Sequence, residues 1–578
     1  MTRTSRGLVG IVATAALAFV ALGGVPGPAM AADAPAPADP NAVVTFLVGL
    51  PVREKALEAA AQEVSTPGTT GFRRYSTVKQ VARKFGATAQ AESALTAAAQ
   101  RLGLTARIDA TRLFARVSGT VASWQTALGE PAQFRAAEPG SAQDADAPPF
   151  NLYAFLDSTG EQYAPLPAAL KSTTTWFLPL FSQYVASLDV AGAVMSKQTR
   201  ELIYPGLGDA VPPTNGGTPL GQTCQTGELA ARTFTPFQLS QAYGLAPLQN
   251  AIAKGVQPRI AVLSLGGGFA QSDVDAAAAC FGHMAPVVDV KTGLGIDTPI
   301  VSLSGESALD LQTVSWAAQN LKSLRFIQVV NSTPSFIEAY ALALTAWPTP
   351  PDAITNSWGT CELAPEAGAG SLSTVESLLQ YAALVGTSSF VASGDRGSSA
   401  CQTTGGDPSD PRPTVQYPGS SPFITAVGGT QLNLGAENAR IGESVWNDLQ
   451  YGLSGNAVGT GGPSAVFDAP WYQRPITGSD VRSVPDIAAQ AGAGPGTTIY
   501  FGGQAVGPTG GTSQASPLIA TGFAMMSSQM RAEGYAPLGF VNPWLYRTAR
   551  FHDGSIYDVT VGSNQYPLVY AESSLNAP

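Results

Sequence analysis

The sequence has little charge, little histidine and little cysteine. Only 12% of its 578 residues are Asp, Glu, Lys or Arg, about half the share usual in soluble domains. The balance is acidic, with a net charge of −10, which argues against nucleic acid or an anionic membrane as a main partner. Beyond residue 31 no stretch holds 18 uninterrupted apolar residues, so no membrane-spanning helix is expected there. The four cysteines, Cys224, Cys280, Cys361 and Cys401, form no C-x-x-C pair, so zinc is not expected. Their even number suits disulfides in an exported chain. Of the three pairings, closeness in sequence favours Cys224–Cys280 with Cys361–Cys401. The two histidines, His283 and His552, sit in loop-like surroundings, after Cys280-Phe281-Gly282 and in "RFHDGS".

A chain of this length exceeds one ordinary core, so two or more domains are expected. Residues 1–31 read as a secretory signal: Arg3 and Arg6 lead an apolar run that Gly23, Gly24, Pro26 and Pro28 break, and Ala29-Met30-Ala31 fits a cleavage site. Secretion follows from that reading. From residue 42 strand-like and helix-like pieces alternate. "AVVTFLVGL" and "RLFARVSGT" read as strands, and "REKALEAAAQEV", "ESALTAAAQRLGL" and "VASWQTALG" as helices, which together suit a compact α+β unit. The polar stretch 136–149 reads as an excursion loop. Residues 206–222, rich in Gly and Pro, read as a linker. Beyond it buried-type strands such as "RIAVLSL", "SLRFIQVVN" and "SSFVASGD" alternate with helices such as "SFIEAYALALTAW". This implies a parallel sheet flanked by helices, with a site beyond the strands' carboxyl ends.

Three short stretches can carry chemistry. In "GGTSQASP" (510–517) Ser513 opens a helix, where free backbone N–H groups and the positive dipole end favour a nucleophile whose product is an oxyanion. With so few histidines, its base is expected to be a carboxylate. In "GESALDLQ" (305–312) Glu306 and Asp310 stand one helical turn apart and face the same way. The following "LQTVSWAA" looks half-buried. Two carboxylates about 4 Å apart repel by about 4 kcal/mol at an effective dielectric of 20, so the pair should share one proton. In "FVASGDRGSSAC" (390–401) Asp395 follows an apolar strand and, if protonated, can donate to an oxyanion. Each stretch also has a plainer reading: a helix cap, a solvated helix face or a turn.

Taken in order, these stretches resemble the sedolisin family, the serine-carboxyl peptidases that include kumamolisins and tripeptidyl peptidases. The series also contains "FTPFQLSQAYGL" (234–245), "LGGGFAQSDV" (265–274), "SWG" (357–359), "VQYPGSSPFITAVGGT" (415–430) and "VPDIAAQA" (484–491). The resemblance implies a subtilisin-like α/β fold in 223–578, preceded by an α+β activation propeptide in 32–205. It implies Ser513 as nucleophile, Glu306 as general base, Asp310 as its partner and Asp395 as oxyanion acid, with Trp358 extending the network behind the acids. Polypeptide substrates, inhibition by the chain's own propeptide lying over the cleft, a monomer and an acidic working range follow. Both an endopeptidase and a tripeptidyl mode are compatible with it.

Two departures from the family pattern stand out. "SGDSG" is replaced by "SGDRG", which sets Arg396 beside Asp395. The family's calcium site has a first half here in Asp558 and the Val559 carbonyl, but its Gly-x-Gly-x-Asp half is not found before the chain ends. Calcium needs six to eight oxygens. Two other functions remain on the sequence alone: a subtilisin-type protease using His283 or His552, and a binding protein on a degenerate peptidase scaffold.

Overall fold

A computed structural model describes residues 39–128, 133–136, 153–156, 167–178, 232–252, 255–293, 299, 303–331, 335–363, 369–402, 412–449, 457–551 and 555–565. The signal and linker readings, Cys224 and His552 lie outside these residues.

The N-terminal unit is built on β1 (Val43–Gly49), α1 (Glu54–Ser65), α2 (Val78–Phe85), α3 (Ala89–Arg101), β2 (Thr105–Ile108), β3 (Phe114–Thr120) and α4 (Val121–Leu128). Strands β4 (Gln133–Ala136) and β5 (Tyr153–Leu156) pair antiparallel on either side of the polar excursion. A short β6 (Phe177–Leu178) completes a four-stranded sheet in the order β2-β3-β1-β6. Side-chain alternation along β1 decides what each face does. Val44, Phe46 and Val48 point into a core with Leu95, Ala98, Ala99 and Trp124, while Leu47 joins Leu57, Ala61, Val81 and Phe85 on the other side.

The second unit has an eight-stranded sheet. Its strands are β7 (Ile260–Leu265), β8 (Val287–Thr292), β9 (Ser323–Val329), β10 (Ala353–Asn356), β11 (Ser388–Ala392), β12 (Thr425–Leu434), β13 (Arg440–Val445) and β14 (Ile487–Gln490). The order is β13-β12-β11-β10-β7-β9-β8, with β14 also on β12. All pairings are parallel except the edge pair β12–β13. The α/β layering expected from the sequence is therefore observed.

Helices cover both faces, again by strand alternation. Ala261, Leu263 and Leu265 of β7 belong to one apolar cluster, and Ile260 and Val262 to another. The first cluster contains helices α7 (Ser335–Thr345) and α8 (Ala369–Leu384); the second contains α6 (Gly305–Ala318) and α9 (Thr512–Ala532). Helix α6 corrects the half-buried reading of "LQTVSWAA", because every residue from Ser307 to Ala318 is buried. A helix enclosed all round is a core element, and α6 is held between α9 and α5 (Gln271–Phe281).

The N-terminal unit docks on the α7–α8 face. Its Leu57, Ala61, Val64, Val81 and Phe85 share one apolar cluster with Phe336, Tyr340, Leu378 and Tyr381. Tyr75 enters a notch walled by Gly386 and Gly539, and its hydroxyl donates to the Leu538 carbonyl at 2.7 Å. A Cβ on Gly539 would collide with the Tyr75 hydroxyl. The Trp176 indole donates to Thr374 at 2.8 Å, and the Trp471 indole to Thr66 at 2.9 Å. Arg116 bridges Asp109 of its own unit at 3.2 Å and Glu338 of α7 at 2.7 Å. The described body of this unit thus packs on the sheet face opposite α6 and α9. The 179–231 stretch that joins the two units lies outside the described residues.

Candidate active site

Helix α9 begins at Thr512, and Ser513 is its second residue. No side chain of its own segment caps the helix. The cap comes from a distant loop, because Asp395 Oδ1 accepts from the Thr512 backbone N–H at 2.9 Å and from its hydroxyl at 2.7 Å. An anionic or polar oxygen is favoured at this position by the free N–H groups and the dipole. The Gly394 N–H in turn donates to Thr512 Oγ1 at 3.1 Å. The carboxyl of Asp395, 2% exposed, is therefore fixed beside the nucleophile candidate, three residues beyond the end of β11.

Asp310 lies in the buried middle of α6 and is 1% exposed. Its Oδ1 accepts from the Ser357 hydroxyl at 2.8 Å, and the same hydroxyl lies 3.4 Å from the Ser513 carbonyl. Ser357, at the end of β10, thus connects the acid helix to the nucleophile helix. Thr355, two residues earlier, meets Ser516 of α9 through their hydroxyls at 3.0 Å. Burial holds the Asp310 carboxyl well above the usual carboxylate range, and the Ser357 hydrogen bond offsets this only in part. Glu306, one turn earlier, is half-buried at the start of α6.

Ser513 Oγ is buried and makes no hydrogen bond. The nucleophile–base contact with Glu306 is therefore not made in this structure. Catalytic hydrogen bonds of substrate-free enzymes are often loose and tighten when substrate fills the site. His283 is occupied elsewhere: its Nε2 lies 2.9 Å from the Ser315 hydroxyl, and burial pushes its imidazole down to about 4. The Trp358 indole N–H is buried and makes no hydrogen bond, so Ser357, and not Trp358, links the network behind the acids. Cys361 and Cys401 form a disulfide that ties the segment after Trp358 to the segment after Asp395. Cys280 is also disulfide-bonded, and its expected partner Cys224 lies outside the described residues.

Sequence reasoning missed three neighbours. Ser357 and Thr512 were inside motifs it had singled out, and their position next to Trp358 and Ser513 was the available signal. Asp448 had none. It is 1% exposed, and burial, with the charge of Asp395 adding to it, pushes its carboxyl up to about 7. The segment 457–458 joins the two acids: Asp448 N–H donates to the Ala457 carbonyl at 2.9 Å, and Val458 N–H to the Asp395 carbonyl at 3.2 Å.

Calcium fares poorly at the C-terminal end. Asp558 is exposed, Val559 is half-buried, and no group of three or more His, Cys, Asp or Glu able to hold a metal occurs among the described residues. One exposed carboxylate and one carbonyl do not make a calcium cage.

Comparison with known proteins finds relatives at both the level of sequence and of fold. Residues 32–143 match the family described as Pro-kumamolisin, activation domain. The chain is 30% identical to kumamolisin of Bacillus sp. (strain MN-32) over 350 residues, 58% of each chain. It is 34% identical to sedolisin of Pseudomonas sp. (strain 101) over 217 residues, covering 37% of this chain and 35% of that one. Identity to xanthomonalisin of Xanthomonas sp. (strain T-22) is 26% over 568 residues, covering 91% of this chain and 61% of the relative. In each case the chain spans less than two thirds of the relative's length. A solved Pseudomonas sedolisin chain aligns with a TM-score of 0.49 at 26% identity, over 58% of this chain and 90% of that chain. The chain is thus similar to an activation domain over residues 32–143 and to kumamolisin, sedolisin and xanthomonalisin, peptidases of the sedolisin family.

Proposed function

We propose that the chain is a secreted, acid-active serine-carboxyl peptidase made as a proenzyme, with its N-terminal unit as intramolecular inhibitor. The observation that carries this reading is the convergence on one helix start: Asp395 caps Thr512, while Ser357 joins Asp310 to the Ser513 carbonyl.

Ser513 Oγ forms a bond to the scissile carbonyl carbon as Glu306 takes its proton. A carboxylate is a workable base only where its own pKa is near the working pH, which places the reaction in acid. Asp310, kept neutral by burial, adds no second charge beside the Glu306 carboxylate, and the Ser357 hydroxyl sets its orientation. Asp395, held at the helix start by its two Thr512 hydrogen bonds and neutral in acid, donates to the tetrahedral oxyanion. The carbon–nitrogen bond then breaks and Glu306 returns its proton to the leaving amine. Water attacks the acyl-enzyme by the same route, giving its proton to Glu306, and Ser513 recovers its own. No step calls on calcium.

The test is maturation of purified precursor at pH 4. Wild type should cleave itself and then digest a fluorogenic peptide; Ser513→Ala and Glu306→Ala should stay full length. Normal self-processing by either purified variant would remove the assignment.

A further inference from the structure

The proposed reaction asks Asp395 to be neutral, yet its surroundings pull the other way. Its Oδ1 accepts two hydrogen bonds from Thr512 at the start of α9, and both donors and the positive helix end favour the ionised carboxylate. A second buried acid opposes that pull. Asp448 is 1% exposed, and its Oδ1 is buried without a hydrogen-bond partner. One segment, 457–460, lies between the two acids and holds both. On one side Val458 bridges Asn447, Asp448 N–H donates to the Ala457 carbonyl at 2.9 Å and Gly459 N–H to the Trp446 carbonyl at 3.0 Å. On the other side Val458 bridges Arg396, Val458 N–H donates to the Asp395 carbonyl at 3.2 Å and Thr460 N–H to the Gly394 carbonyl at 2.7 Å. The backbones of Asp395 and Asp448 are thus fixed across a single segment.

The groups that face the Asp448 carboxyl are Asp395, the Trp446 indole and the Ala493 N–H. Of these only Asp395 carries charge, and it has the same sign. Burial, with the Asp395 charge added to it, lifts the Asp448 carboxyl to about 7. Two carboxyls so placed give up their protons in two steps that belong to the pair. The first proton leaves readily, because Thr512 stabilises the charge it exposes. The second is held well above the ordinary carboxyl range, because its loss sets two like charges where water does not reach. Between the two steps one proton serves both acids.

We propose that Asp448 is a positioning residue for the oxyanion acid: the pair retains one proton, so that Asp395 can still donate at a pH where the Thr512 hydrogen bonds alone would leave it ionised. The role rests on the peptidase reading above. When the oxyanion forms, the retained proton is on Asp395 and the charge on Asp448, and the pair gains and loses none. Below the first step both acids are neutral and Asp448 adds nothing to the donor. Its effect therefore falls on the alkaline side of the pH profile.

The experiment compares kcat of the processed wild type and of Asp448→Asn on one fluorogenic peptide between pH 3.5 and pH 6.5. The amide keeps the shape and cannot take the charge. The ratio of kcat at pH 3.5 to kcat at pH 6 should be about tenfold higher in the variant than in wild type, as for a donor whose proton leaves about one unit earlier. A residue that only fills space would lower kcat equally at both pH values, so an unchanged ratio overturns the proposal and leaves the peptidase reading intact. A second measurement needs no activity. In the Ser513→Ala precursor, carbon-13 resonances of labelled aspartate carboxyls follow the titration of Asp448, and adding Asp395→Asn should lower its midpoint by about one unit. A midpoint that ignores Asp395 also overturns the proposal, and this measurement decides if Asp448→Asn does not fold. Failure of wild type to cleave any peptide, matching Ser513→Ala, removes the peptidase reading and this inference with it.

Discussion

The two faces of the eight-stranded sheet are built from the same strands but solve different problems. On the α7–α8 face apolar side chains meet a second folded unit, and the polar groups there, such as Tyr75 and Trp176, find partners across the boundary. On the α6–α9 face the apolar packing encloses Asp310 and the unbonded Ser513 hydroxyl, with buried Asp395 and Asp448 nearby. Packing on the first face stabilises. On the second it desolvates groups that would be better hydrated, and that cost is the usual mark of a working site. The docked unit and the proposed site thus lie on opposite sides of one layer.

The largest effect expected from breaking this division lies on the site face. Asp310→Ala should lower kcat at pH 4 by 10²–10³ or so with little change in KM, since it removes a group that acts on the base. Peptide kinetics on the processed variant check this, and an equal rise in KM would point to lost substrate binding.

Acid pH comes next, because both faces bury carboxyls, Asp310 on α6 and Glu376 on α8. Asp310, Asp448, Glu362, Glu376 and Glu443 are all raised above ordinary carboxyl values, with burial as the first cause in each, and Glu376 and Asp448 are pushed up to about 7. For such groups the folded state holds the proton more tightly than the unfolded chain. Their stabilisation is complete below the unfolded pKa and is lost as pH rises towards the folded value. Asp448 alone is worth on the order of 4 kcal/mol by this linkage. His283 works the other way, because its lowered pKa removes stability as pH falls from about 6.5 to about 4. Five acids against one imidazole give a higher melting temperature at pH 4 than at pH 7. Calorimetry of Ser513→Ala, which avoids self-digestion, measures it; a higher value at pH 7 would contradict the burial argument.

On the docking face Tyr75→Ala should cost about 3–5 kcal/mol, as for other large aromatic truncations in packed sites. The separated N-terminal unit carrying it should inhibit the processed enzyme at least 100-fold less well. Equal inhibition would mean that the Gly386–Gly539 notch does not anchor the unit. The disulfide comes next. It closes a separation of 40 residues, so replacing Cys361 and Cys401 by Ser should lower stability by roughly 3–4 kcal/mol, read as a denaturant midpoint. The smallest effect is expected for Ser357→Ala. Its hydrogen bond to a neutral carboxyl is worth about 1 kcal/mol, a fewfold loss in kcat, together with a shift in the pH profile that a purely structural residue would not cause.

Much of the architecture was legible before any coordinates. The apolar runs "RIAVLSL" (259–265), "SLRFIQVVN" (323–331) and "SSFVASGD" announced buried strands, and the run after Ser513 announced a helix; all are present. So was the placement of Asp395 just past a strand and of Ser513 at a helix start, because strand and helix ends follow local pattern. The docking face was not legible. Leu57 falls in a stretch read only as a helix and Phe85 in one not singled out, and nothing local says whether an apolar residue meets its own unit or another. Complete enclosure of α6 was missed because its polar residues, Gln312 and Ser315, suggested a wet side. In the fold Gln312 bonds the Tyr500 backbone, and Ser315 meets His283.

What the amino-acid order determined alone was periodicity, the shortage of imidazole and the type of group at each candidate position. These are properties of near neighbours and of composition, and they hold whatever the chain does later. Only the tertiary structure decided that Ser357 would touch Asp310, that Asp395 would cap a helix 117 residues away, and that Asp448 would be buried near Asp395. Such contacts join segments far apart in sequence, and the pKa of each acid depends on the water that those segments exclude.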